Sequence, residues 1–151
     1  MPDISDGPWK PIKIVPYGAV LHVPADWDAL PPVPSNGPEV LRATGGPGRN
    51  LIVFKVPSKE MTATQVADEA QEKLAAHGYG DFTRAEVTFA GCSGVALDFV
   101  VRNSKETIIY RSRQYFAVHG NAAWVFGMGS ATWEDHLPLI EEIAQRFELT
   151  E

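Results

Sequence analysis

One stretch of sequence decides the fold: residues 91–129, GCSGVALDFVVRNSKETIIYRSRQYFAVHGNAAWVFGMG. Its runs of apolar, β-branched and aromatic residues, with a similar run before it, predict four strands, at 82–89, 94–102, 106–118 and 122–129. The turns between them are short: GCSG at 91–94, NSKE at 103–106 and HGN at 119–121. Such turns join antiparallel neighbours, because a parallel pair needs a crossover of about a dozen residues or more. The stretch therefore predicts an antiparallel sheet.

Further strands precede this sheet. Ala19, Leu21 and Val23 are alternate apolar positions of a strand, which Pro24 ends because proline cannot donate to a ladder. The segment 26–50 is rich in proline and glycine and predicts a long loop system. Within and after it we expect a hairpin: a strand at 39–43, the turn GGPGRN at 45–50 and a strand at 51–56.

Two segments have the pattern of helices. Thr62 and Gln65 have the spacing of a capping box, and apolar residues at helical spacing follow, so a helix is predicted over 63–77. Near the end of the sequence, Leu137, Ile140, Ala144 and Phe147 recur at helical spacing and predict a helix over 134–147, with Pro138 in its first turn. With 151 residues, the chain has the length of one ordinary domain. We expect an arm with a first short strand at 1–16, and one α+β domain at 17–151, in which a mainly antiparallel sheet of six to seven strands packs against two main helices.

Composition excludes several classes of function. The chain has a formal charge of −6 and no basic run, which disfavours nucleic acid as a partner. No segment approaches the ~18 apolar residues of a membrane span, so membrane insertion is not expected. The N-terminus lacks the basic and apolar regions of a secretory signal, and a cytoplasmic location is the expectation. Cys92 is the single cysteine and cannot form an internal disulfide.

No catalytic or cofactor motif is assembled in the sequence. The histidines show no paired metal-ligand spacing, so no metal site is predicted; they are His22, His77, His119 and His136. The stretch GCSGV fails the nucleophile-elbow pattern because Val95 stands at its final glycine, although a Cys92–His pairing in space stays open. No phosphate-binding or dinucleotide motif follows the glycines at 45–48. The sequence thus favours binding over catalysis, predicts no catalytic residue and implies no cofactor.

Three residues of one predicted strand are candidates for a partner-binding surface. Arg111, Arg113 and Tyr115 alternate and therefore share one face of the sheet. Arginine and tyrosine are frequent at protein interfaces, since each combines apolar area with a hydrogen-bonding tip. The alternative is an ion pair across the strands with an acidic neighbour such as Asp98, which needs no partner. Both interpretations stay open.

Aromatic residues offer a second candidate site. Trp124, Phe126 and Met128 share a face of the last predicted strand, where a core stripe is the default and a pocket between sheet and helix the alternative. Trp27, three residues after a strand end, is interpreted as a structural plug of the core in preference to a ligand-stacking residue. A homodimer is also possible, and an edge strand near 39–43 would be one route to it.

Three motifs resemble the PsbP-like superfamily. The strand VLHVPADW at 20–27 resembles its opening "apolar strand, Pro, x, x, Trp", and GCSGVALDFVV at 91–101 resembles its central glycine turn and strand. The ending HLPLIEEIAQRFEL resembles its closing helix, in which Arg146 here replaces a serine. The resemblance implies an α/β/α sandwich and non-catalytic roles in binding, assembly or chaperoning. It brings no shared catalytic residues.

Two hypotheses about function follow. The first is a non-enzymatic adaptor or chaperone-like protein that holds a protein partner on a sheet face. The second is a small-molecule-binding protein or divergent enzyme, with a pocket between sheet and helix.

Overall fold

A computed structural model describes residues 8–14, 18–31, 39–45, 50–89, 91–102, 105, 107–130 and 133–149. Its strands are β1 (Trp9–Ile14), β2 (Ala19–Pro24), β3 (Asp28–Leu30), β4 (Glu39–Thr44), β5 (Asn50–Pro57), β6 (Gly80–Phe89), β7 (Cys92–Arg102), β8 (Ile108–His119), β9 (Ala122–Ser130) and β10 (Glu148–Leu149). Its helices are α1 (Ala63–Ala76) and α2 (Trp133–Arg146). Most of the turn GGPGRN lies outside the described residues.

Seven strands form the main sheet in the order β3-β4-β5-β9-β8-β7-β6, and every neighbouring pair is antiparallel. The four consecutive strands β6 to β9 pair as the short turns predicted. The hairpin of β4 and β5 is also present. β5 joins the meander beside β9, which makes β9 the bridge between the two halves of the sheet. The predicted α+β class with a mainly antiparallel sheet is therefore confirmed.

Three strands form a second, smaller sheet in the order β1-β2-β10. β2 was predicted, but β10 was not, because two residues carry no readable periodicity. β3 was also missed, because it has only three residues and all of them are exposed, so they show no alternation of buried and exposed positions. β3 pairs with the second half of β4, so 39–43 is not the edge strand that the dimer route assumed. The edges of the main sheet are β3 and β6.

Local sequence accounts for both ends of α1. The Thr62 hydroxyl accepts the Gln65 backbone N–H at 3.2 Å, and the Gln65 side chain accepts the Thr62 N–H at 2.8 Å, as the capping box predicts. After the helix, Gly78 adopts a φ of +92°, which a residue with a Cβ rarely adopts. In α2, Pro138 lies inside the helix and not in its first turn, because the helix already begins at Trp133.

The two helices lie on opposite faces of the main sheet. α1 packs over β6, β7 and β8 through a small cluster centred on Leu97 and Phe116. α2 and the small sheet cover the other face, where Trp124, Phe126 and Met128 are buried. The α/β/α sandwich is thus confirmed. No described helix is both long and apolar enough to cross a membrane.

Aromatic packing fixes α2 on its face of the sheet. Phe147, just after the helix, stacks on Phe89 with ring centroids 5.4 Å apart and meets Phe126 edge-on at 5.5 Å. Tyr115 completes the group, with its ring centroid 5.4 Å from that of Phe89. Such pairs contribute about 0.5–1.5 kcal/mol each beyond their buried area. The cluster holds the C-terminal half of α2 close to the strand that carries the candidate arginines.

Candidate protein-binding groove beside Arg113

The register of β7 and β8 places Arg113 directly opposite Asp98. The guanidinium donates to both carboxylate oxygens: Nε to Oδ1 at 2.5 Å and Nη2 to Oδ2 at 2.9 Å. A two-pronged pair of this kind fixes both orientation and distance, and is stronger than a single hydrogen bond. The ion pair that the sequence offered as the alternative to a partner contact is therefore present.

Arg113 also reaches α2 and the aromatic residues beside it. Its Nη1 donates to the Tyr115 hydroxyl at 3.1 Å and lies 3.4 Å from a carboxylate oxygen of Glu141. Its guanidinium carbon lies 5.7 Å from the ring centroid of Tyr115 and 5.8 Å from that of Trp133. Only 15% of the side chain is exposed. Arg113 thus ties β7, β8 and α2 together, and the hydrogen bond to Asp98 raises the pKa of its guanidinium further above the ordinary value.

Only the hydroxyl group of Tyr115 reaches this region. The residue is 5% exposed, and its ring packs in the aromatic cluster against Phe89 and Phe126. Burial raises the pKa of its hydroxyl above the ordinary value of 10.0, although the hydrogen bond from Arg113 opposes that effect. The hydroxyl therefore stays protonated and remains available as a hydrogen-bonding group.

Arg111 lies on the same face as Arg113 but in a different environment. It lies two residues earlier on β8, opposite Val100 on one side and Ser130 on the other, and its side chain is exposed. Neither strand neighbour is acidic. Within the part of the chain that the structure describes, it makes no hydrogen bond or ion pair through its side chain. The structure thus leaves one arginine of the predicted pair open to solvent.

Two cavities lie between α2 and the edge strand β6 on this side of the sheet. One, of about 460 Å³, is lined by Val87, Arg113, Tyr115, Glu141 and Ala144, among others. The other, of about 240 Å³, is lined by residues that include Asp81, Thr83, Asp98, Arg111 and Trp133. The Asp98–Arg113 pair stands between them. We call these two cavities and the pair between them the arginine groove; it brings all three predicted partner-binding residues to one side of the sheet.

The predicted pocket residues lie elsewhere and are not together on a surface. Phe126 and Met128 are 0% and 1% exposed and belong to the core. Trp124 is almost as buried, but it lines a cavity of about 630 Å³ between the two sheets, and not between sheet and helix. Trp27 is buried as well: its indole covers Gly45, where a Cβ would overlap the ring, and its centroid lies 6.1 Å from that of His136.

Sequence reasoning missed two contributors to these sites. Glu141 was not singled out, because helical periodicity does not show which turn of α2 stands over Arg113. Lys55, whose ammonium lies 5.2 Å from the ring centroid of Trp124, was not singled out. Its contact depends on the pairing of β5 with β9, which no local signal in the sequence indicates. Among the described residues, no group of three His, Cys, Asp or Glu side chains could hold a metal ion.

Comparison by sequence and by structure gives different results. No family model matches the sequence. No curated protein matches it either. Solved structures do match. Cyanobacterial PsbP (CyanoP) from Synechocystis sp. PCC 6803 has a TM-score of 0.77 at 13% identity, with 99% of this chain and 96% of that chain covered.

Two further structures match over nearly the whole chain. The Ran-binding protein Mog1p from Saccharomyces cerevisiae has a TM-score of 0.68 at 10% identity, covering 97% of each chain. LpqN from Mycobacterium tuberculosis, described as involved in cell envelope biogenesis, has a TM-score of 0.59 at 17% identity, covering 95% of this chain and 91% of that one. Identities this low establish the fold alone. The resemblance seen in three short motifs is confirmed at that level: this chain has the PsbP-like fold.

Proposed function

We propose that this chain is a non-enzymatic binding protein, of the adaptor or chaperone-like kind, that holds a protein partner in the arginine groove. The observation that carries the proposal is Arg111, an exposed arginine beside the nearly buried Trp133 at one end of the groove. Arginine and tryptophan are over-represented among the residues that dominate binding energy at protein interfaces.

The rest of the groove supports this role by being already ordered. Arg113 is fixed by Asp98, Glu141 and two aromatic rings, so a partner would not have to immobilise it. Binding to a preformed surface costs less conformational entropy than binding to a flexible one. Arg111 would then supply the new charge-assisted hydrogen bonds, with a carboxylate or a backbone carbonyl of the partner as acceptor.

The fold is compatible with such a role. Mog1p, which shares the fold, is a Ran-binding protein, so this architecture carries a protein-binding surface in at least one case. The sequence contains no assembled catalytic motif that would favour an enzymatic role instead.

Affinity capture of the tagged chain from its native host tests the proposal. Arg111→Ala should weaken retention of a specific protein that the wild type captures by about thirtyfold or more, since hot-spot residues cost about 2 kcal/mol or more when truncated. The matched control is Arg84→Ala. Arg84 lies on edge strand β6, on the face of the main sheet that α1 covers, where it pairs with Asp68 and Gln71 of that helix.

Equal recovery of the partner by the wild type and Arg111→Ala would contradict the assigned surface. Loss of the partner in Arg84→Ala alone would place the partner on the α1 side of the sheet.

A further inference from the structure

The strand β6 is the long open edge of the main sheet. It pairs with β7 on one side, and no strand of the described chain lies on its other side. The opposite edge of the sheet, β3, has only three residues, whereas β6 has ten. An edge strand presents a row of backbone N–H and C=O groups to which a further strand can pair. β6 is therefore the place where the main sheet can be extended.

The middle of β6 lacks the features that usually protect an edge. Proline, lysine and bulges are common guards against the addition of a strand. The register with β7 shifts between Gly80 and Thr83, at one end of β6, and is continuous from Thr83 to Phe89. That continuous stretch contains neither proline nor lysine. Its first four residues, 83–86, are all exposed, and because alternate residues point to opposite faces, neither helix buries this part of the edge.

The continuous stretch is also complementary to itself. Arg84 and Glu86 lie on either side of Ala85 and share one face of the sheet. When two copies of β6 pair antiparallel about a two-fold axis at Ala85, Arg84 of each copy lies opposite Glu86 of the other. Opposite charges directly across a strand pair are stabilising, whereas like charges are destabilising. The same register places Thr83 opposite Val87, and both are β-branched residues, which pack well on a pleated surface.

Both charged groups can make this contact without giving up another. Within the described residues, Glu86 makes no hydrogen bond or ion pair through its side chain. Arg84 already donates from Nη1 and Nε to two side chains of α1, but a guanidinium has five N–H donors, so donors are left for a second carboxylate. Arg113 binds two carboxylates in this way, those of Asp98 and Glu141.

We propose that two copies of this chain associate through antiparallel pairing of their β6 strands about Ala85. The pairing is isologous, since the same residues of both copies form it, and it joins the two main sheets into one continuous sheet. The two-fold axis of such a pair stands perpendicular to the sheet, so the arginine grooves of the two copies lie on the same face. The interface uses the edge and not the groove, and the inference does not depend on the proposed function.

Sedimentation equilibrium of the full chain tests the proposal. At about 0.15 M salt the Debye length is about 8 Å, so the repulsion between two chains of formal charge −6 is largely screened while ion pairs in contact persist. Because the interface is short, we expect a weak dimer with a dissociation constant of about 10–100 μM. The mass of a single chain at every concentration up to about 500 μM would overturn the proposal.

A lysine at the axis tests the assigned edge. Ala85→Lys places two ammonium groups directly opposite each other and should weaken the dimer about fivefold or more. Ala75→Lys makes the same change at an exposed position of α1 and should not alter the dissociation constant. Both alanines are exposed, so both variants should fold, which thermal melts establish. Wild-type affinity in Ala85→Lys would contradict pairing through β6.

Reversal of charge tests the register. Glu86→Arg and Arg84→Glu each turn both opposite-charge contacts into like-charge contacts, so each variant alone should dimerise about thirtyfold more weakly. Mixed in equal amounts, the two variants again present opposite charges at both contacts, and a heterodimer should form with affinity close to that of the wild type. A mixture that associates no better than either variant alone would contradict the register about Ala85. If Arg84→Glu does not fold, the comparison of Ala85→Lys with Ala75→Lys still decides the proposal.

Discussion

At the Arg111 end of β8, the sheet meets α2 through charged and aromatic side chains, whereas at the His119 end it meets the small sheet through a cleft with apolar walls. The first region contains two carboxylates, Asp98 and Glu141, that neutralise its central arginine. The second contains a lysine and no described carboxylate in its lining. One strand therefore carries a largely preformed polar surface at one end and a cleft with apolar walls at the other.

Within the first region, two arginines that are only two residues apart have different environments. Arg113 lies opposite an aspartate and under α2, while Arg111 lies opposite Val100 and Ser130, beyond the aromatic cluster. The difference arises from the register of β8 and from where α2 begins, not from the residue type. We infer that Arg113 stabilises the fold, and we propose that Arg111 is the arginine that contacts a partner.

The largest expected effect on stability is that of Arg113→Ala. The substitution leaves Asp98 partly buried without its cation and removes the link to Glu141, so we expect the free energy of unfolding to fall by about 2–3 kcal/mol. Urea denaturation measures it. The control, Arg84→Ala, breaks a more exposed ion pair and should cost less than about 1 kcal/mol. Similar losses in the two variants would contradict the structural role of Arg113.

Tyr115→Phe should have an intermediate effect of about 1 kcal/mol, because it removes one hydrogen bond and keeps the ring. It should also change the dependence on pH. Since burial raises the pKa of the hydroxyl in the folded state, the unfolded state loses its proton first, and stability falls as the pH rises above 10.0. Unfolding free energies measured from pH 8 to pH 11 should decline less steeply in the variant.

The matched control for that profile is Tyr79→Phe, which removes a hydroxyl from a ring on the other face of the sheet, packed against Phe99. A decline as steep in Tyr115→Phe as in the wild type would show that the buried hydroxyl is not responsible.

The smallest expected effect on stability is that of Arg111→Ala. An exposed side chain without a described ion pair should change the free energy of unfolding by no more than about 0.5 kcal/mol. Thermal and urea denaturation of this variant measure it. A loss as large as that of Arg113→Ala would remove the contrast between the two arginines, and with it the reason to assign partner binding to Arg111.

Much of the fold was predictable because its signals are local. Turn lengths predicted the antiparallel meander, and the Thr62–Gln65 capping box predicted the start of α1. The short strands β3 and β10 were not predictable, since their pairing depends on neighbours that are distant in sequence.

The candidate site was predictable only in part. Alternation placed Arg111, Arg113 and Tyr115 on one face, but the pairing of Arg113 with Asp98 depends on a register that shifts between Val101 and Arg102. Which arginine α2 would cover was not readable from the sequence either. The cleft between the sheets depends on β10 and on the β5–β9 pairing, and neither leaves a periodic signal.

Site-specific photocrosslinking in the native host tests the central claim most directly. A photoreactive phenylalanine analogue is placed at position 111 in one variant and at position 84, on the opposite face of the sheet, in another. The proposed role of Arg111 predicts one discrete crosslinked protein from position 111 and none of that protein from position 84. No discrete product at position 111, or the same product at both positions, would contradict the assignment of the arginine groove as the partner-binding surface.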